Sequence, residues 1–183
     1  MYAMNQPIYQ IIAFLLRYPE QNMHDMLPEL EEELEVFHQP EIKSNLKKFL
    51  YEISSSSIDK WIEHYIRHFD FGRTTNLYVT YLKLGEQRER GLELLKLKKF
   101  FEAHGFEVTN RELPDYLPLI LEFCANVPKE TSNQLLAMHQ EAIREIRDRL
   151  AEEQSYYQYL FDALLIYMKN NGVEDHLKQA VMD

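Results

Sequence analysis

Three small groups of residues have the types and spacing that could do chemistry. His64 and His68 in "EHYIRH" are one helical turn apart, so one helix face could present two imidazoles to a metal. The pair lacks the glutamate placement of a zinc protease, Asp70 is the nearest imaginable third ligand, and a polar helix face explains the spacing equally simply. Cys124, the only cysteine, sits on the apolar side of a helical pattern with no base beside it, where a thiol behaves as a small hydrophobe. Glu112 and Asp115 flank Pro114 in "NRELPDYLPLILEF" and form a candidate carboxylate pair. Their plainer role is at a helix start, where Pro114 fixes the first turn and Asp115 complements exposed N–H groups. There is no glycine-rich phosphate loop, no G-x-S-x-G elbow and no dinucleotide fingerprint. An enzyme would have to work with carboxylates alone, and the expectation is a protein that is not an enzyme and holds no cofactor or metal.

Helices position these residues. Apolar spacing after Pro7 (Ile8, Ile11, Ile12, Leu15, Leu16) predicts a core-facing helix that ends before Pro19. Pro28 opens a second, with Glu29, Glu31, Glu32 and Glu33 giving it a solvated acidic face. Pro40 opens a third, carrying Leu46, Phe49 and Ile53, and the "SSSS" run supplies a cap for a fourth built on Trp61, Tyr65 and Phe69. Asp70, Gly72 and Arg73 mark a break, with Arg73 available to pair with Asp70 or Asp115. "TNLYVTYLKL" has β-branched residues that permit a strand, but its phase favours a fifth helix. A sixth runs to His104 with Gly105 as a left-handed cap and Phe106 folding back toward Phe101. Pro114 is expected to open the seventh, and "TSNQ" reads as a capping box for the eighth. A ninth, "YYQYLFDALLIYMKN", is apolar nearly all round and reads as central. The expected fold is all-α: one compact bundle of about nine helices over residues 1–183, with N- and C-terminal halves joined by a hinge near 106–116.

With 183 residues, 45% of them apolar and 13% aromatic, the chain can bury a sizeable core. Five glycines argue against hairpin-rich β structure. A net charge of -10 opposes nucleic-acid binding and suits a basic partner. One cysteine excludes an intrachain disulfide and any Cys-rich metal site held by this chain alone. The N-terminus lacks the pattern of a secretory signal, and the longest apolar run, "IIAFLL", is far below a membrane span. A cytoplasmic protein with no membrane insertion is expected, with monomer and dimer both open.

The segments "ELPDYLPLILEF" and "YIRHFDFGRTTNLYVTYLKLGEQRERGLELLKLKKFFEAHGF" together resemble the delta-subunit, or NarJ-type, assembly chaperones of respiratory nitrate reductase. These belong to the wider TorD/DmsD group of all-helical chaperones for molybdenum enzymes. "FDFGR", "ERG" and "ELPD" are weak motifs singly, and their order and spacing carry the likeness. In the wider group an E-x-P-D-H hinge lies near the client-peptide site. Glu112, Pro114 and Asp115 match it, and Tyr116 replaces the histidine, keeping an aromatic ring and one hydroxyl.

The resemblance implies a chaperone that binds the N-terminal segment of the apo catalytic (alpha) subunit and assists molybdenum cofactor insertion. An apolar groove with an acidic rim would suit a basic amphipathic client. The groove candidates are Tyr65, Phe69, Leu77, Tyr78 and Tyr81, with Asp70, Glu112 and Asp115 as rim and Tyr116 at the hinge. Core packing is the competing role for each aromatic. Asp115→Ala is expected to weaken peptide binding with little loss of helicity. Two alternatives stay open: a hinge that binds a nucleotide or pterin directly, and a generic helical adaptor.

Overall fold

Proline sets four of the helix starts, because its missing N–H falls where a first-turn donor has no intrahelical partner. The computed structural model describes residues 6–70, 75–85 and 87–174. Pro7 opens α1 (Pro7–Leu15), Pro28 lies in the first turn of α3 (Leu27–Glu35), Pro40 opens α4 (Pro40–Ser54), and Pro118 lies in the first turn of α8 (Leu117–Ala125). Between them come α2 (Gln21–Asp25), α5 (Ile58–Tyr65), α6 (Tyr81–Leu84) and α7 (Arg88–Ala103). The last two are α9 (Lys129–Glu152) and α10 (Tyr157–Asn170). Ser57 caps α5 by accepting from the Lys60 amide, as the serine run suggested.

The apolar α10 is the central element, packed against α4, α9 and α1, while α1 also lies along α8. Tyr157, Leu160, Phe161 and Leu164 of α10 are fully buried. Trp61 of α5 donates its indole N–H to the Tyr157 hydroxyl at 2.9 Å, satisfying two polar atoms inside the core. At the other end, Gln6 donates to the carbonyl of Cys124 at 2.8 Å and to Ser132 Oγ at 2.9 Å, tying the head of α1 to α8 and α9. Cys124 is fully buried, and burial pushes its thiol well above the ordinary range. It packs as a small hydrophobe.

The all-α reading holds, with differences in detail. Among the described residues there are ten α-helices where about nine were expected, because the turn after Pro19 winds into the short α2. "TNLYVTYLKL" is helical only over Tyr81–Leu84; Tyr78 instead forms an isolated antiparallel bridge with Tyr116, with backbone hydrogen bonds from Val79 to Asp115 and from Leu117 to Leu77. Its β-branched residues and a partner distant in the sequence outweigh its helical phase. The helix expected at Pro114 begins at Leu117, because that pairing keeps the chain extended through Tyr116, the N-cap. "TSNQ" is no capping box: α9 starts at Lys129, and Ser132 turns inward to Gln6. Gly105 takes the expected left-handed conformation at φ +85°, and the Phe106 amide returns to the Phe101 carbonyl at 3.0 Å. Gly72 and Arg73, with the break and pairings assigned to them, lie outside the described residues.

Candidate functional site: the hinge face and its buried pin

The backbone of the site is the short pairing of the chain before α6 with the chain before α8. Val79 N–H donates to the Asp115 carbonyl at 3.0 Å, and Leu117 N–H to the Leu77 carbonyl at 2.8 Å, bracketing a bridge between Tyr78 and Tyr116. Two antiparallel hydrogen bonds place the two tyrosines side by side, ring centroids 5.3 Å apart.

Asp115 locks this crossing from inside. Its side chain has no solvent exposure. Oδ2 accepts from Thr80 Oγ1 at 2.6 Å, from the Thr80 amide at 3.3 Å and from Arg90 Nη2 at 3.0 Å. Arg90 also donates through Nε to Thr80 Oγ1 at 3.2 Å, and its guanidinium lies over the rings of Tyr81 and Tyr78, at 5.3 and 5.9 Å. One buried carboxylate thus joins three chain segments: the loop before α8, the start of α6 and the first turn of α7. A buried carboxylate is tolerated only when paired and hydrogen-bonded, and this one is.

Above the pin lies an aromatic face. Tyr78 donates to Glu112 Oε1 at 2.5 Å, and both side chains are half-buried. The Tyr116 and Tyr65 hydroxyls stand 3.4 Å apart, and Tyr65 packs edge-on to the partly exposed Tyr18 at 5.4 Å. Burial, and at Tyr78 the Glu112 carboxylate beside it, raises the hydroxyl pKa of Tyr65, Tyr78 and Tyr116, so these remain neutral donors. Arg17, which pairs with Glu122 of α8, sets a positive charge near Tyr116.

The site residues divide by depth. Tyr65, Phe69 and Leu77 are buried in the core; Tyr78, Tyr81, Tyr116 and Glu112 are half-buried; Asp70 is exposed. Asp115 lies beneath the face and not on its rim, so its part is to position. It does not cap α8 either, since it precedes the Tyr116 N-cap and turns toward Thr80 and Arg90. Arg90 and Thr80 are the residues of the pin that sequence reasoning passed over. Arg90 stands in the quoted "ERG", whereas Asp115 was expected on the rim with Arg73 available to pair with it.

The histidine pair sits away from this face. After α5 the chain widens into a π-helical turn, Ile66–Asp70, which brings the consecutive His68 and Phe69 both inward. His64 stacks on Tyr156 at 3.9 Å and shares a 2.8 Å hydrogen bond with Ser155 Oγ, while His68 Nδ1 lies 2.8 Å from Glu153 Oε2 in a contact poorly aligned for a hydrogen bond. Burial pushes His64 down to about 4. Asp70 does not join the pair, and no group of three or more His, Cys, Asp or Glu among the described residues is arranged to hold a metal. No helix among the described residues is long and apolar enough to cross a membrane.

Comparison with known proteins gives the chain's family. The chain is 39% identical over 176 residues to the probable nitrate reductase molybdenum cofactor assembly chaperone NarJ of Bacillus subtilis, covering 96% of each chain. It is 29% identical over 182 residues to the nitrate reductase molybdenum cofactor assembly chaperone NarJ of Escherichia coli, covering 94% of this chain and 74% of that one. The probable chaperone NarW of Escherichia coli is 30% identical over 159 residues, covering 86% of this chain and 66% of the relative. The pinned crossing and its aromatic face fall inside residues 14–163, which match the family described as nitrate reductase delta subunit, and the chain belongs to that family.

Proposed function

We propose that this protein is a nitrate reductase molybdenum cofactor assembly chaperone that works in the cytoplasm and binds the N-terminal segment of the apo catalytic subunit. It is not an enzyme: it keeps the client competent for cofactor insertion and leaves before the finished enzyme works. The observation that carries this reading is the 39% identity across 96% of both chains to a relative bearing that name.

Geometry supports a place for the client. Half-buried Tyr78, Tyr81 and Tyr116 over a floor of Tyr65, Phe69 and Leu77 can bury apolar side chains, and Glu112 and Asp70 supply negative charge beside them. The Thr80–Arg90–Asp115 pin keeps that face in register before any client arrives, which lowers the ordering cost of binding. Tyr116 takes the position of the group's hinge histidine and offers a ring and a neutral hydroxyl in place of an imidazole.

Co-expression tests the reading. The intact catalytic subunit should co-purify with this protein in its cofactor-free form, and a subunit lacking its N-terminal segment should not. Equal recovery of both would remove that segment from the proposal.

A further inference from the structure

Helix α7 has an inner and an outer side. Leu97 and Phe101 are its buried residues, and Arg90, seven residues before Leu97, leaves the same side to enter the pin with Asp115. On the opposite side Arg88, Leu92, Leu95, Lys99 and Glu102 recur at four-three-four-three spacing, and all five are exposed. Leu92 is 57% and Leu95 47% exposed, so the centre of this stripe is apolar surface left in water. Arg88, Lys99 and Glu102 have no ion-pair partner among the described residues.

Gly91 lies beside the stripe. A side chain there would meet no atom within 4 Å, and the position is ordinary helix, so nothing in the chain itself calls for one of the poorest helix formers. What a missing side chain permits is close approach by another chain.

We propose that this stripe is an interface between two copies of this chain, formed by antiparallel packing of the two α7 helices about a twofold axis at Leu95. Such an axis sets residues equally far on either side of Leu95 against each other. Arg88, seven before, then meets Glu102 of the second copy, seven after, and symmetry makes the ion pair twice. Leu95 meets its own copy, and the aliphatic stem of Lys99, four after, lies across Gly91, four before. The charge order makes the stripe complementary to itself in this direction alone, because a parallel pair would set Arg88 against Arg88 and Glu102 against Glu102. On the flanks, Lys96 is balanced by Glu93 at 2.9 Å, and Lys98 turns to a hollow that it lines with Glu112 and Leu113. The pin lies on the far side of each helix, so association leaves Arg90 and Asp115 in place. The inference stands apart from the chaperone reading and survives its failure.

Sedimentation equilibrium over a series of protein concentrations tests it. The wild-type chain should show a reversible monomer–dimer equilibrium. Arg88→Glu, which turns two exposed attractions into repulsions, should weaken the dimer by about tenfold, and Arg88→Glu/Glu102→Arg should restore it to within about threefold. Leu95→Lys should leave only monomer, and Tyr51→Lys, at a side chain 70% exposed on α4, should leave the equilibrium unchanged. Every substituted side chain is exposed, so circular dichroism should show unchanged helicity in all of them. A wild-type chain that is monomeric at every concentration would overturn the interface. So would a dimer indifferent to Arg88→Glu and Leu95→Lys, or a double charge swap no stronger than the single one.

Discussion

Arg90 Nη2 lies 3.0 Å from Asp115 Oδ2 and 3.3 Å from Oδ1, the arginine side chain 14% exposed and the aspartate not at all. This contact fastens the first turn of α7 to the loop before α8, the two sides of the connection that carries the hinge sequence. It makes Asp115 a positioning residue beneath Tyr78 and Tyr116, the groups proposed to touch a client.

Asp115→Ala leaves Arg90 and the Thr80 hydroxyl without their acceptor. Removing one partner of a buried pair costs about 3–5 kcal/mol, and partial solvent access to Arg90 sets the value near about 3. Urea denaturation should show that loss, with client affinity falling because the crossing loosens. Asp115→Asn, which keeps the Thr80 bonds, should lose roughly half as much. A loss below about 0.5 kcal/mol for the alanine variant would mean that the pin is not structural.

Trp61, the single tryptophan, reports on the core. Trp61→Phe orphans the buried Tyr157 hydroxyl and should cost about 1–3 kcal/mol. Tyr157→Phe orphans the indole N–H in turn and should shift Trp61 emission without unfolding the helices. Emission unchanged in that variant would place the indole bond elsewhere.

His64 gives a pH dependence whose sign follows from its burial. Its folded pKa is pushed down to about 4 from an ordinary value of 6.5, so the unfolded chain binds the proton first as pH falls. Stability is fully present above about pH 6.5 and is lost toward pH 4, by about 1–2 kcal/mol once partial exposure is allowed for. His68, shifted down as well, acts in the same direction. His64→Phe should flatten the fall in urea midpoint between pH 7 and pH 4.5, and an unchanged slope would assign the titration to other groups.

Tyr116→His restores the wider group's hinge pattern at the cost of the 3.4 Å hydroxyl contact with Tyr65. Such a long contact is worth little, so stability should change by less than about 1 kcal/mol. Client affinity should persist in the histidine variant and fall in Tyr116→Ala, which removes the ring 5.3 Å from that of Tyr78. Full affinity in the alanine variant would take Tyr116 out of the site.

Helix existence was legible wherever apolar residues recur at helical spacing, as in α1, α4, α9 and α10, while Ser57 marked the start of α5 and Gly105 the end of α7. What was not legible depends on contacts between distant residues. Leu77–Val79 has helical phase, and only a partner 38 residues along the chain, Tyr116 against Tyr78, draws it out of a helix. Pro114 carries a helix-start signal as good as that of Pro118, and the same pairing decides between them. Asp115 was expected on the rim, and its burial follows from Arg90 and Thr80, whose spacing from it in sequence carries no period. The residues called groove aromatics proved to be of two kinds, because periodicity tells which side of a helix is apolar but not whether a neighbour covers it.

The central claim is recognition of the client's N-terminal segment, and isothermal titration calorimetry of that peptide into the purified protein tests it most directly. The account predicts saturable binding near one peptide per chain, weakening as salt rises, and lost for a scrambled peptide of the same composition. No binding heat and no anisotropy change with the native peptide, or equal affinity for the scrambled one, would contradict it.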